Sequence, residues 1–287
     1  MAPPATDASR VKAQLARART TLATAGIPLP WLDAEILVAH VLKSSRERLH
    51  SHPDRQMTVA QRARLHRLTS RRAARVPVPY LVGEREFYGH MFRVTPAVLI
   101  PRPSSELLVE LAIDWLKTHP DARGVIDLGT GSGAVAISVA KAVAMVRIEA
   151  RDVSARALRV AAENIARYRL RGRITTVKAD LLRGAAPADV ILANLPYIPD
   201  ALRRVRPKEL DYEPALALDG GKDGLDLIRI ALAQAPAAVK PGGLVLFECD
   251  PAQTRPIVRL AQRHWPAAAI SVHKDLAGLN RVVRIQT

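Results

Sequence analysis

Along the first part of the chain the apolar positions recur at helical spacing. Between positions 9 and 75, Leu32, Ile36, Leu37, Val41 and Leu42 set the pattern, and no alternating strand pattern interrupts it. Residues 1–76 are therefore predicted to form a small helical bundle. Asp7 or Ser9 is placed to cap its first helix, Pro28 and Pro30 break the chain before the second, and Thr58 is placed to cap a later one. Pro77 and Pro79 end the helical region. Residues 77–103 read as a hairpin linker: two short strands turning about Gly89, then the stiff segment Ile100-Pro101-Arg102-Pro103.

Residues 104–287 are expected to form a second domain. Ser104 or Ser105 is placed to start a helix whose apolar stripe is Leu107, Leu108, Leu111 and Leu116. Short apolar strands at 123–128, 146–151, 174–179, 188–193 and 243–249 then alternate with amphipathic helices near 133–142, 155–168, 224–239 and 252–264. That alternation predicts an α/β fold, a mostly parallel sheet covered by helices on both faces. The apolar stretches at 268–272 and 281–285 are expected to close it as an antiparallel pair.

Composition narrows the function classes. Forty-three Lys and Arg against 27 Asp and Glu give a net charge of +16, which favours encounter with polyanions or acidic proteins without naming either. The single cysteine, Cys249, excludes an intrachain disulfide framework and argues against a cysteine-built zinc site. The eight histidines are scattered without ligand spacing, so no metal is expected. No apolar run is long enough to span a membrane, and the start of the chain lacks the apolar core of a signal peptide. We expect a cytoplasmic monomer with no membrane partner. Arg71-Arg72 with Arg75, and Arg203-Arg204 with Arg206, read as solvated clusters or as RNA or acidic-protein contacts.

Candidate chemistry begins where the first parallel strand meets its helix, in Asp127-Leu128-Gly129-Thr130-Gly131-Ser132-Gly133. Glycines there let the backbone turn sharply and a ligand approach closely. The spacing is GxGxG and not the GxGxxG of a dinucleotide site, which argues against a plain NAD site. Asp152, ending the second strand, is placed to accept hydrogen bonds from ribose hydroxyls, and Asp180, before Leu181, to meet an adenine amino group. Asp127 is read either as orienting the loop or as approaching the ligand.

The stretch Asn194-Leu195-Pro196-Tyr197 follows the fourth strand, at the same sheet edge. An amide or aromatic amino nitrogen is a poor nucleophile because its lone pair is delocalised. Two acceptors, the Asn194 side-chain oxygen and the Leu195 carbonyl, can each take one N–H of an –NH₂ group and aim its lone pair at a methyl donor. Pro196 stiffens the turn and Tyr197 offers a face for stacking. Asn194, Leu195, Pro196 and Tyr197 are thus the candidate catalytic positions. Asp127, Gly129, Thr130, Gly131, Ser132, Gly133, Asp152, Asp180, Leu181 and Asn194 are the candidate cofactor positions.

With those residues in view, the chain resembles the release-factor glutamine N5-methyltransferase family, of the HemK/PrmC type. The likeness extends to Asp33-Ala34-Glu35-Ile36-Leu37, to Glu86-Phe87-Tyr88-Gly89 and to Leu99-Ile100-Pro101-Arg102-Pro103 before Glu106. It continues through Glu213-Pro214-Ala215-Leu216 to Asp219-Gly220-Gly221 with Asp223-Gly224, and ends in Lys274-Asp275-Leu276-Ala277-Gly278 with Arg281-Val282-Val283.

The resemblance implies a Rossmann-like class I methyltransferase domain that binds S-adenosyl-L-methionine through the glycine loop and Asp152. It implies a glutamine amide gripped by the Asn194 loop, and a helical domain at 1–76 that recognises a peptide chain release factor by its Gly-Gly-Gln loop. Two positions depart from the family pattern: Leu195 replaces the first proline of Asn-Pro-Pro-Tyr, and Cys249-Asp250-Pro251 replaces a stretch that usually reads Ile-Gly. Open alternatives are a ribosomal-protein glutamine as substrate, an adenine or cytosine amino group of rRNA or DNA, and a binding module that has lost activity.

Overall fold

The computed structural model describes residues 7–202 and 205–287, which fall into two compact units. The first comprises residues 7–83 together with Lys208–Tyr212; the second comprises residues 84–202, 205–207 and 213–287.

The first unit is helical, with α1 (Val11–Thr24), α2 (Pro30–Leu42), α3 (Arg46–Ser51), α4 (Val59–Ala73) and α5 (Val78–Val82). Its core is the buried face of α2, Ala34, Leu37, Val38, Val41 and Leu42, packed with Val11, Leu22, Leu49 and Leu65. The stripe is turned slightly from the predicted one, since Leu32 and Ile36 are only half-buried. Neither Asp7 nor Ser9 caps α1. Arg10 holds that position without a side-chain cap, and the Ser9 hydroxyl donates to Gln56 Oε1 at 2.5 Å.

Thr58 does cap α4. Its Oγ1 accepts the Gln61 N–H at 3.2 Å while Gln61 Oε1 accepts the Thr58 N–H at 2.8 Å, a reciprocal capping box. Thr58→Ala is therefore expected to lower stability by about 1 kcal/mol, read as a drop in the urea midpoint at unchanged slope.

Helix continues past the predicted boundary at 76, because Pro79 sits in the first turn of α5, where a missing N–H costs nothing. The arginine cluster at 71–75 is also not a solvated face. Arg72 is buried, and its Nε donates to Asp33 Oδ2 at 2.7 Å and its Nη1 to Glu209 Oε1 at 3.0 Å. Arg75 donates to the Ala25 and Gly26 carbonyls and to Glu209. These ion pairs, with the Tyr212 hydroxyl donating to the Ala74 carbonyl at 2.7 Å, tie Lys208–Tyr212 into the helical unit. Of the second cluster, Arg203 and Arg204 lie outside the described residues, and Arg206 faces Asp219 at 3.7 Å.

The second unit opens with the hairpin β1 (Glu84–Phe87) and β2 (His90–Arg93), turning through Tyr88 and Gly89 at φ 50° and 70°. It is part of this unit's core and not a free linker. Phe87 and Phe92 are fully buried and meet edge to face at 6.2 Å, among Leu108, Ile137 and Ile165. Then come α6 (Glu106–Thr118), β3 (Gly124–Leu128), α7 (Ala134–Ala142), β4 (Arg147–Asp152), α8 (Ala155–Arg167), β5 (Ile174–Lys178) and β6 (Ala188–Ala193). The chain ends in α9 (Asp226–Ala238), β7 (Val239–Glu248), α10 (Thr254–His264), β8 (Ala269–Lys274) and β9 (Asn280–Gln286).

These seven strands form one sheet in the order β5-β4-β3-β6-β7-β9-β8, parallel from β5 to β7 and antiparallel at β9 and β8. The α/β class with an antiparallel C-terminal pair is thus as predicted. Burial on both faces explains the continuous apolar runs of β3, β6 and β7. No helix among the described residues is long and apolar enough to cross a membrane.

Candidate active site

The chain runs from β3 outward to β4 and β5, then returns to the other side of β3 for β6 and β7. Strand order therefore reverses between β3 and β6, and a crevice opens at their carboxyl ends. In register, Leu128 pairs with Ala193, so the loops leaving β3 and β6 start side by side. A Cβ placed on Gly129 would lie 3.4 Å from Leu195 Cδ2 and 3.5 Å from the Asn194 carbonyl oxygen. The two loops form adjoining walls of one cavity of about 240 Å³.

Gly129, Gly131 and Gly133 adopt φ of 66°, 55° and 79°, a left-handed run that side chains resist. Gly129 and Gly131 line the cavity. Gly133 caps α7, and Thr130 and Ser132 are buried behind the loop, off the cavity wall. Asp127 is also buried off the wall, where its Oδ2 accepts the Thr130 hydroxyl at 2.6 Å. Burial pushes its carboxyl up to about 7, against the Thr130 hydroxyl and the Ala136 N–H, which favour the charge. Of the two readings of Asp127, its contacts fit the one that orients the loop.

Asp152 lines the cavity. Its Oδ2 accepts the Gly131 N–H at 3.0 Å and its Oδ1 the Ser154 N–H at 2.8 Å, so the carboxylate is fixed while each oxygen keeps a lone pair. Burial raises its pKa, against the N–H groups of Ser154 and Gly131. Asp180 and Leu181 line the same wall. They are held by Arg151, whose Nε donates to the Leu181 carbonyl at 3.0 Å and whose Nη2 donates to the Arg183 carbonyl at 2.7 Å.

Asn194, Leu195 and Pro196 line the cavity next to the glycine loop, whereas Tyr197 does not. The Asn194 Nδ2 donates to Ser105 Oγ at 2.8 Å. The Tyr197 ring packs into the second core cluster, with its hydroxyl 3.4 Å from Glu248 Oε1. Burial raises the Tyr197 pKa further above the usual phenol range, helped by the Glu248 charge. The loop is anchored from behind. The Ile198 N–H donates to the Leu218 carbonyl at 2.9 Å, the Gly220 N–H to the Ile198 carbonyl at 2.9 Å, and Gln253 Nε2 to the Tyr197 carbonyl at 2.8 Å.

Several of these residues escaped the sequence reading. Ser104 and Ser105 look like helix caps, yet neither side chain caps α6: Ser104 donates to Glu248 Oε1 at 3.0 Å and Ser105 accepts from Asn194. Glu248 is fully buried at the end of β7. Burial raises its pKa, opposed first by the Ser105 and Ser104 hydroxyls and then by Arg281. Glu213, also buried, accepts the Ile100 N–H at 3.0 Å and pairs with Arg102, which fixes the stiff segment before α6. Burial pushes the neighbouring Cys249 thiol up to about 12, against reactivity. Among the described residues no cluster could hold a metal ion.

Residues 13–83 match the PrmC N-terminal domain and residues 103–205 the methyltransferase small domain. The chain is 38% identical over 270 residues to a release factor glutamine methyltransferase of Moorella thermoacetica, covering 93% of this chain and 95% of the relative. It is 39% identical over 222 residues to a ribosomal protein uL3 glutamine methyltransferase of Bordetella pertussis, covering 76% and 74%. Among solved structures, the hMettl16 catalytic domain in complex with an RNA hairpin shares the fold at a TM-score of 0.56, with 14% identity over 80% of this chain and 82% of that one.

Proposed function

The chain belongs to the release factor glutamine methyltransferase family, and from that membership we propose that it methylates the side-chain amide nitrogen of the glutamine in the Gly-Gly-Gln motif of peptide chain release factors. The observation that carries this reading is the placement of Asn194 and Leu195 on one wall of a cavity whose other wall is the glycine loop with Asp152.

S-adenosylmethionine is the cofactor, and the residues present suit it. Asp152 keeps a lone pair on each oxygen for a ribose diol, Asp180 stands beside it, and Leu128 and Leu181 offer an apolar slot for a purine. Bound there, the cofactor supplies a methyl on a positively charged sulfur, open to displacement by a nitrogen lone pair. The chain's own part is positioning. Asn194 Oδ1 and the Leu195 carbonyl each accept one N–H of the substrate amide, which turns its lone pair out of conjugation and toward the methyl. Tyr197, its ring packed into the core and its hydroxyl at Glu248, steadies the loop from behind and does not itself line the cavity. The nitrogen loses one proton after reaction, and its acidity once alkylated makes a strong base unnecessary. The helical unit supplies recognition of the protein substrate.

The test is a labelling experiment. Purified protein is given methyl-labelled S-adenosylmethionine with, separately, unmodified release factor, ribosomal protein uL3 and rRNA, and the label is located by mass spectrometry. Label on the Gly-Gly-Gln glutamine is the expected result. Label confined to a uL3 glutamine would keep the mechanism and change the partner. Label confined to an rRNA amino group would overturn the substrate class and turn the basic surface into a binding face.

A further inference from the structure

A glutamine side chain enters this cavity as part of a protein, so the surface that carries it must come down over the loops around the mouth. A standard protein–protein contact covers about 800 Å² on each partner, a patch about 16 Å in radius. Side chains that these loops expose within that distance of Asn194 are covered when the glutamine is in place.

The exposed side chains there are apolar to an unusual degree. Val153 follows β4, Leu202, Val205 and Leu216 follow β6, and Leu276 and Leu279 lie in the turn between β8 and β9. Elsewhere this unit exposes, among its described residues, only Met91, Met145, Ile230 and Val272 as large apolar side chains. Leu216 lines the cavity itself. The β8–β9 turn reaches the same edge because β9 runs antiparallel to β7. Across the sheet Ala193 lies beside Phe247 and Phe247 beside Val283. Two strand spacings, about 10 Å, separate β9 from β6, which puts the turn inside the patch.

Leu276 is the most exposed of the set, its side chain wholly in solvent. Its turn is nevertheless fixed. Asp275 Oδ1 accepts the N–H groups of Ala277 and Leu279, both at 3.0 Å, and the Asp275 N–H donates to the Leu279 carbonyl at 2.9 Å. Arg281 holds the base, its Nε donating to Asp275 Oδ2 at 3.2 Å and its Nη1 to the Cys249 carbonyl at 3.3 Å. A leucine held out in water on an ordered turn adds nothing to the fold, and its backbone loses little freedom when a partner covers it. Asp152, Asp180 and Asp250, at or just past the ends of β4, β5 and β7, disfavour the phosphates of a nucleic acid at the same mouth.

We infer that this apolar rim, with Leu216 at the cavity mouth and Leu276 as its outlying contact, docks an apolar patch of the protein substrate beside the reactive glutamine. Docking of this kind rests on the reading of the substrate as a protein glutamine. It adds a surface that selects which proteins can present one.

Leu276→Ser removes the outlying contact and leaves the cavity and the hydrogen bonds of the turn in place. With unmodified release factor, KM is expected to rise about tenfold at unchanged kcat, while S-adenosylhomocysteine affinity, read by calorimetry, and the urea midpoint match the parent. Leu276→Met keeps an apolar contact and should keep most of the affinity. Met145→Ser, which removes an exposed apolar side chain at the opposite edge of the sheet, just before β4, should leave KM as it was.

A KM for Leu276→Ser within about two-fold of the parent, or an equal rise in Met145→Ser, would overturn the docking surface alone and leave the labelled glutamine as found. If the unaltered protein labels a uL3 glutamine instead, the same variants carry the same expectations on uL3. Label confined to rRNA, or on none of the substrates offered, removes the functional reading and the docking surface together.

Discussion

Replacing Asn194 by alanine is expected to lower turnover on the release factor by about 10²–10³-fold while leaving S-adenosylmethionine affinity nearly unchanged. The side chain lines one wall of the cavity, tied to Ser105 through Nδ2, and its remaining oxygen is the only part of it that the proposed chemistry uses. Alanine removes that acceptor and leaves the Leu195 carbonyl alone to hold an –NH₂ group that needs both protons taken. The substrate still binds through contacts distant from the amide, so the loss appears in kcat more than in KM. Asp152 and the glycine loop, which the substitution does not touch, keep the cofactor. Single-turnover kinetics with labelled methyl donor separate the two quantities, and near-normal turnover in Asn194→Ala would remove Asn194 from the chemistry.

Much of this arrangement could be read from the chain alone, for a definite physical reason. Parallel strands buried on both faces carry uninterrupted apolar runs, and β3, β4 and β6 fall within a residue or two of their predicted bounds. Glycines forced to positive φ at the end of β3 advertise a ligand loop, and an acid at the end of β4 its partner. β7 starts earlier than expected, at Val239, because Lys240-Pro241-Gly242-Gly243 reads locally as a turn although Val239 pairs with Ala188. Pattern rules saw prolines at 77 and 79 as a stop, where the first turn of α5 tolerates one.

What stayed illegible is the set of contacts between residues far apart in sequence. Ser105 meets Asn194 across 89 positions and Tyr197 meets Glu248 across 51. A serine before a helix satisfies the local rule for a cap, so nothing local marks it as serving a distant amide. The same holds for Arg72, whose neighbours in sequence suggest a solvated basic patch but whose partners are Asp33 and Glu209. The Gly220 to Gly224 stretch was visible as part of the family likeness, yet its work became clear only from what a Cβ there would strike.

Gly224→Ala is the second change from which a large effect is expected, on turnover and on stability together. A Cβ at this position would lie 2.2 Å from the Tyr197 carbonyl oxygen and 2.3 Å from Gln253 Nε2. Those two atoms hydrogen-bond to each other at 2.8 Å and anchor the Asn194 loop from behind. The backbone cannot yield by turning, because φ is +79° and alanine there already costs about 1–2 kcal/mol. The methyl must push the Tyr197 carbonyl aside, and with it the short link to Leu195 and Asn194.

A displacement of about 1 Å at reacting groups can cost on the order of 10²-fold in rate, and overpacking adds about 1–3 kcal/mol to the backbone cost. Gly184→Ala supplies the matched control, since Gly184 has φ +70° and nothing within 4 Å of where its Cβ would go. It should show the backbone cost alone in urea unfolding and keep its turnover. If the two variants lose the same stability and Gly224→Ala stays as active as Gly184→Ala, then the contact at Tyr197 and Gln253 does not position the loop, and Asn194 must be held by Ser105 without support from behind.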